Sequence, residues 1–377
     1  MISFDRESID PGLKRLAQVL SGKSRAAYLK ALWVSPGERC VTFCVSDANI
    51  TYAFKIPAAC TAGPVFGLGD GQKFLSLIAR LTPGEVVLDL KDETAFIRQQ
   101  RRSFRMALAD PGWAVEYPRM PEDPVRVDGN LLAPALKFAE RSTGSAADMG
   151  VLSCVLVRGL GDSVVCVGMN GWQMHIFQVR GTGLESLPED LLIPKQHASV
   201  LHSVLADGDF VLAVKDGYLF LASDDFTRQM EVPLVQGEYP DYQRIIPREY
   251  ACTYELERGE LSESLARLNV VSTMDQGSFA LTRETEHSLS LELESQNGSG
   301  REILDARIDG DAVDVRFHAG GFAEALAALP GQDRVLIRPG GASDPCLLTP
   351  LDLQGQALCM IMPVQAVEEH YTPEGED

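Results

Sequence analysis

The sequence predicts an α+β protein built three times over, and three observations carry that prediction. First, KFLSLIARLTPGEVVLDL (73–90), SVLHSVLADGDFVLAV (199–214) and GFAEALAALPGQDRVLI (321–337) share one pattern. Each is an apolar-faced helix, a Gly-containing turn and an apolar strand. Second, the turn glycines Gly84, Gly208 and Gly331 lie 124 and 123 residues apart, close to a third of the 377-residue chain. A period of that size means three copies of one architecture. Third, each third opens with a further amphipathic helix, and nearly everything else reads as short alternating strands.

Taken in order, the opening helices follow DPG (Leu13, Leu16, Ala17, Leu20), DGN (Leu132, Ala135, Leu136, Ala139) and RGE (Leu261, Leu265, Leu268). Pro134 is expected in the first turn of the second of these, where a missing N–H costs little. The predicted strands include CVTFCVS (40–46), TYAFKIP (51–57), TAFIRQQ (94–100), VLSCVLVR (151–158), SVVCVGM (163–169), YLFLAS (218–223), SLSLELES (288–295) and AVDVRFH (312–318). Their apolar residues alternate, and Gly, Asp, Asn or Pro bound them. The last 13 residues, 365–377, carry five acids and no apolar period, which reads as a solvated tail.

Composition narrows the class. Apolar residues make up 45% and charged residues 23%, values of a globular chain. No apolar run approaches the ~18 residues of a membrane span, and the first ten residues are polar, so a cytoplasmic location is expected. Eight cysteines show no CxxC pair and no companion histidines, the usage of core thiols in a reducing compartment. The net charge of −19 is unevenly distributed. Residues 1–123 carry 16 basic against 14 acidic side chains, 124–250 carry 10 against 16, and 251–377 carry 8 against 23. A uniformly acidic surface would repel nucleic acid, whereas a chain with electrically different ends can assemble head to tail.

Catalytic motifs do not emerge. There is no HExxH, GxSxG, Walker A or dinucleotide fingerprint. GLGDGQ (67–72) has the glycines of a phosphate loop but lacks the flanking strand and the Lys-Ser/Thr, and reads as an interstrand loop. The six histidines show no ligand spacing, and Asp305, Asp309 and Asp311 form an acidic hairpin without a calcium frame. An enzyme with its own active site is not expected, and neither a metal nor a cofactor is called for.

The segment LVQGEYPDYQRIIP (234–247) resembles the inter-domain stretch of the bacterial DNA polymerase III β subunit, the sliding clamp family, which typically reads L-V-(E/D)-G-(K/R)-(F/Y)-P-(D/N)-Y-x-x-(V/I)-(L/I)-P. The ending CMIMPV (359–364) is similar to that family's (V/I)-(M/L)-P-(M/V/I), and KFLSLIARL (73–81) to one of its helices. The resemblance implies three similar DNA-clamp domains, 1–123, 124–250 and 251–364, each two helices on antiparallel sheet, closing as a head-to-tail dimeric ring. It also implies a non-catalytic processivity factor that encircles duplex DNA and tethers the replicative polymerase. The polymerase III α subunit, the clamp loader δ subunit and other clamp-motif peptides would be its partners. The remaining alternatives are a divergent clamp paralogue with different partners and a three-domain α+β scaffold without DNA function.

The resemblance also assigns residues. Helix and loop cations Lys23, Arg25, Lys73, Arg80, Lys137, Arg141 and Lys195, with Lys14, Arg15 and Arg267, would face the hole and touch phosphates without reading bases. The dimer contact would set an edge strand FIRQQRRSFRM (96–106), with Arg98, Arg101, Arg102 and Arg105 around Phe104, against Val270, Val271, Glu302 and Asp305. A solvated basic strand or a nucleic-acid patch is the other reading of that stretch. A peptide pocket would comprise Leu152, Gly171, Trp172, Gln173, Met174, Pro240, Arg244, Ile245, Met360, Met362 and Pro363. Here Met169-Asn170-Gly171-Trp172-Gln173-Met174 stands where the family usually has T-D-G-H-R-L, losing a charge and gaining an indole. Trp172 is either a pocket wall or a plain core residue.

Overall fold

A computed structural model describes the chain except for residues 21–25, 145–146, 186, 188, 272–276, 296–297, 332 and 365–377. Lys23, Arg25 and the acidic tail therefore lie outside the described residues. One β-α-β-β-β module recurs six times along the chain, with short 3-10 turns between some elements. The first module is β1 (Ile2–Asp5), α1 (Asp10–Leu20), β2 (Leu32–Gly37), β3 (Cys40–Ser46) and β4 (Thr51–Pro57). The second is β5 (Phe66–Leu68), α2 (Gly71–Ile78), β6 (Glu85–Lys91), β7 (Thr94–Gln99) and β8 (Arg102–Ala107). The third is β9 (Val125–Asp128), α3 (Gly129–Glu140), β10 (Cys154–Gly159), β11 (Val164–Met169) and β12 (Gln173–Val179). The fourth is β13 (Leu191–Pro194), α4 (Lys195–Leu205), β14 (Asp209–Lys215), β15 (Tyr218–Ser223) and β16 (Arg228–Pro233). The fifth is β17 (Cys252–Glu257), α5 (Arg258–Val271), β18 (Ser278–Thr285), β19 (Ser288–Ser295) and β20 (Gly298–Gly310). The sixth is β21 (Val315–His318), α6 (Ala319–Ala328), β22 (Arg334–Pro339), β23 (Cys346–Pro350) and β24 (Ala357–Ile361).

The period read from the turn glycines is the recurrence of the even-numbered modules. Gly84, Gly208 and Gly331 each link a helix to its following strand at φ of +117°, +126° and +86°. This left-handed region strains any residue with a Cβ, so the repeat is written where the backbone requires it.

Two compact units divide the chain: Met1–Lys137, Cys154–Val164 and Val179–Gly237 form one, and Phe138–Ser153, Val165–Gln178 and Glu238–Asp377 the other. The first unit holds the sheets β1-β6-β7-β8 and β5-β2-β3-β4-β16-β15-β14-β9. Its helices α1, α2 and α4 pack together: Gln72 Nε2 donates to the Ala17 carbonyl at 2.7 Å, and Gln18 Nε2 to the Ser199 carbonyl at 3.3 Å. The second unit holds the run β12-β24-β23-β22-β17-β20-β19-β18-β21. Its core is aromatic: the Phe322 ring lies 5.1 Å from Phe279 and 4.9 Å from Phe317, and all three are fully buried. Each ring contributes about 2–3 kcal/mol of burial, with edge contacts adding to it.

Several expectations require correction. Residues 96–106 are a hairpin and not one strand, because Gln100 takes φ +51° and turns β7 into β8. Arg98 therefore lies on the inner strand, 3.6 Å from Asp89, and Arg101 at the turn. GLGDGQ joins β5 directly to α2, with the Asp70 side chain accepting the Lys73 N–H at 3.0 Å as the helix cap. The strand was illegible because it has three residues. Pro134 falls in the second turn of α3, where it removes one intrahelical bond. Asp305 and Asp309 sit within the single strand β20, not on a hairpin. No helix among the described residues is long and apolar enough to cross a membrane.

Candidate functional site

Two strand seams stand out within the units. In the first unit β4 pairs with β16, Phe54 opposite Arg228 and Tyr52 opposite Met230. In the second, β12 pairs with β24, Gln173 opposite Ile361 and Met174 opposite Met360. Each seam joins the last strand of an odd module to the last strand of an even one. Two last strands have no such seam. β8 ends its sheet, and apart from Ala107, whose carbonyl accepts the Gly69 N–H at 2.9 Å, it has a strand on one side only among the described residues. β20 pairs with β17 through residues 306–310, whereas its stretch 298–305 has β19 on one side and, among the described residues, no strand on the other.

The interface residues predicted from sequence fall at these edges. On β8, Arg102 and Arg105 are exposed and Phe104 is half-buried. Arg102 Nη1 donates to Thr82 Oγ1 and Gln99 Oε1, each at 3.2 Å, which holds its side chain along the sheet end. Near β20, Val270 at the end of α5 is 84% exposed and Ile303 54%. The Val271 side chain lies outside the described residues. Glu302 is engaged within the chain: Arg267 Nε and Nη2 donate to its carboxylate at 2.8 and 2.6 Å, which holds the carboxyl below the usual range. Arg267 is thereby also removed from the free cations.

The remaining basic residues divide by partner. Lys73 projects from the start of α2, 80% exposed although 2.9 Å from Asp70. Arg80 just beyond α2 is exposed and donates to the Ser76 carbonyl at 3.0 Å. Lys14, Lys137 and Arg141 are exposed, and Lys195 opens α4 half-buried. Arg15 is 13% exposed and 2.9 Å from Asp207, so it ties α1 to α4 instead of facing solvent.

A cavity of about 430 Å³ opens in the second unit where the turn into β12, the end of β24 and the start of α6 meet. Asn170, Trp172, Gln173, His318, Gly321, Phe322, Ile361, Met362 and Val364 line it. Local chemistry fixes each wall. Gly171, at φ +88°, makes the β11–β12 turn, and Asn170 Oδ1 accepts the Trp172 and Gln173 N–H groups at 3.1 and 3.0 Å. The Met362 N–H donates to the Trp172 carbonyl at 2.9 Å, extending the seam past β24. His318 Nδ1 accepts the Gly321 N–H at 3.1 Å and caps α6, which sets Phe322 as the floor.

Of the pocket residues predicted from sequence, Trp172, Gln173 and Met362 form part of this wall, with Gly171 and Pro363 beside it. Trp172 is 74% exposed, which rules out the core-indole reading. Met174 and Met360 are a buried pair behind the wall. Leu152 is half-buried and its carbonyl accepts the Gly144 N–H at 2.9 Å, outside the cavity wall. Pro240, Arg244 and Ile245 are exposed on the segment before β17 and also lie outside the wall, with Arg244 2.8 Å from Asp241. His318, Gly321 and Phe322 were missed because GFAEALAALP reads only as a core helix; the signal was the histidine at its N-cap.

Burial pushes Cys44, Cys166, Cys346 and Cys359 above the ordinary thiol range, so they stay protonated, and all eight cysteines are free. Among the described residues no group of His, Cys, Asp and Glu could hold a metal ion.

No family model matches the chain. It is 24% identical over 378 residues to the β sliding clamp of Helicobacter pylori strain J99, covering 96% of this chain and 99% of that protein. To the β sliding clamp of Synechococcus elongatus it is 30% identical over 133 residues, 35% of each chain. The fold matches the DNA polymerase III β subunit of Thermotoga maritima with a TM-score of 0.87 at 18% identity, over 97% of this chain and 99% of that one. It matches the Pseudomonas aeruginosa sliding clamp bound to griselimycin with a TM-score of 0.87 at 13% identity, over 96% and 98%. With the six-module order and the two seams, these likenesses show that the chain is similar along nearly its whole length to the β sliding clamps of DNA polymerase III and shares their fold.

Proposed function

We propose that the protein is a replicative sliding clamp: a non-catalytic processivity factor that closes as a head-to-tail homodimer around duplex DNA and holds the polymerase by a peptide groove. The observation that carries this reading is the seam rule. Within one chain, last strands of odd and even modules join twice, and the two that remain are β8 and 298–305 of β20. Joining β8 of one protomer to β20 of its partner repeats the same operation and closes under twofold symmetry. On this reading the modules pair into three domains, 1–123, 124–250 and 251–364. Charge supports the contact, since the first third is nearly neutral with an arginine-rich edge and the last carries 8 basic against 23 acidic residues.

Exposed Lys14, Lys73, Arg80, Lys137 and Arg141 with Lys195, and beyond the described residues Lys23 and Arg25, would supply sequence-independent phosphate contacts. The groove of the second unit suits a short peptide with an apolar anchor; the polymerase III α subunit and the clamp loader δ subunit are the partners this reading assigns. The assembly test is molar mass by light scattering at micromolar concentration. The native chain should have twice the mass of the 41.1 kDa protomer. Phe104→Ala with Val270→Ala should shift it toward monomer, since truncated interface anchors typically cost about 2 kcal/mol each. A native monomer would overturn the ring.

A further inference from the structure

Among the described residues the groove wall contains no Asp, Glu, Lys or Arg. Its one ionisable side chain, His318, has its Nδ1 committed as the acceptor that caps α6. Close by in sequence, Arg316 donates to Ser278 Oγ at 3.4 Å. Acids dominate the surrounding sequence, with Asp314 and Glu324 exposed on either side of His318 and Phe322. Trp172 stands at the rim with its backbone held by Asn170, by Met362 and by the Gly171 turn, yet its side chain is 74% exposed. Among the described residues no ring or guanidinium is stacked on that indole.

An open indole face is a site for a cation, which the ring quadrupole attracts within about 6 Å of its centroid. A carboxylate at the same place meets the negative face of the ring beside a third of the chain that carries 23 acidic against 8 basic residues, and among the described residues the wall holds no Lys or Arg to offset this. We propose that the groove selects peptides bearing a basic residue beside the apolar anchor and disfavours acidic ones, and that Trp172 determines this preference. The inference rests on the peptide-groove reading above and names the partner's chemistry: an aliphatic or aromatic anchor flanked by lysine or arginine.

Calorimetric titration of the full chain with three synthetic peptides tests it. They share a Leu–Phe core and differ in flanks of two lysines, two alanines or two glutamates. At about 50 mM salt, where the screening length is roughly 14 Å, the lysine peptide should bind at least about tenfold tighter than the glutamate peptide. The ratio should shrink severalfold at about 300 mM salt. Trp172→Ala should remove most of the advantage of the lysine peptide over the alanine peptide, and Gln173→Arg should raise affinity for the glutamate peptide. Equal affinities for the lysine and glutamate peptides, with the alanine peptide still bound, would overturn the selection and leave the groove intact. An unchanged ratio in Trp172→Ala would overturn the assignment to that residue. Failure of all three peptides to bind would overturn the groove reading on which the inference stands.

Discussion

His175 lies fully buried on β12, stacked on Phe138 with ring centroids 4.5 Å apart. Its Nδ1–H donates to the Phe138 carbonyl at 2.9 Å, while Nε2 has no partner among the described residues. Burial pushes its pKa down from 6.5 to about 4, opposed by the Phe138 bond, with Arg141 lowering it further. The folded state therefore holds the neutral ring, and the unfolded chain binds the extra proton as pH falls. Stability from this group is complete above pH 6.5, is lost between pH 6.5 and 4, and falls no further below that. The loss is on the order of 3 kcal/mol. Denaturant titrations of the native chain should show this slope, and His175→Gln, which cannot titrate, should flatten it. At the groove, Trp172→Ala should cost under about 0.5 kcal/mol of folding stability because the side chain is exposed, whereas Phe322→Ala should cost about 3–5 kcal/mol. Thermal melts separate the two. Sequence alone could not choose between wall and core for Trp172, because a turn residue beside alternating strands fits either. The local Asn170–Gly171 turn and the Met362 N–H bond to the Trp172 carbonyl at the end of the β12–β24 seam together set Trp172 at the rim.

Among elements, the legible ones were those whose residues alternate or repeat strictly. The strands at Cys40–Ser46, Thr51–Pro57, Tyr218–Ser223 and Ser288–Ser295 have the limits that their alternation predicts. The hairpin at Gln100 was hidden because no Gly, Asn or Asp marks its turn, and β5 because three residues carry no period. Close approach is the other feature that sequence conceals. A Cβ at Gly168 of β11 would come within 1.9 Å of the Ala139 carbonyl at the end of α3, and the Ser142 hydroxyl donates to the Gly168 carbonyl at 2.7 Å. Backbone blocks the added methyl, so Gly168→Ala should destabilise by about 2–3 kcal/mol, with a matching drop in the urea midpoint and an unchanged slope. By contrast Gly84 and Gly208 have open space and are fixed by φ alone.

For the whole molecule, a net charge of −19 is compatible with the proposed DNA function only if contact with DNA is topological more than adhesive. Direct binding to linear duplex should accordingly be weak and weaken further with salt, as a band-shift series over ionic strength would report. The threefold architecture was legible from the turn glycines, but the sixfold module was not. Strands such as β13 and β21 have only four residues, and the seams β4–β16 and β12–β24 join segments far apart in the chain. Those seams leave β8 and residues 298–305 of β20 open among the described residues, which is the physical ground for the proposed ring. The most direct measurement is the dwell time of the protein, loaded by a bacterial clamp-loader complex onto a nicked circular plasmid, before and after the plasmid is cut once. Encirclement predicts a long dwell time on the circle and rapid loss after linearisation; equal dwell times on both would contradict it.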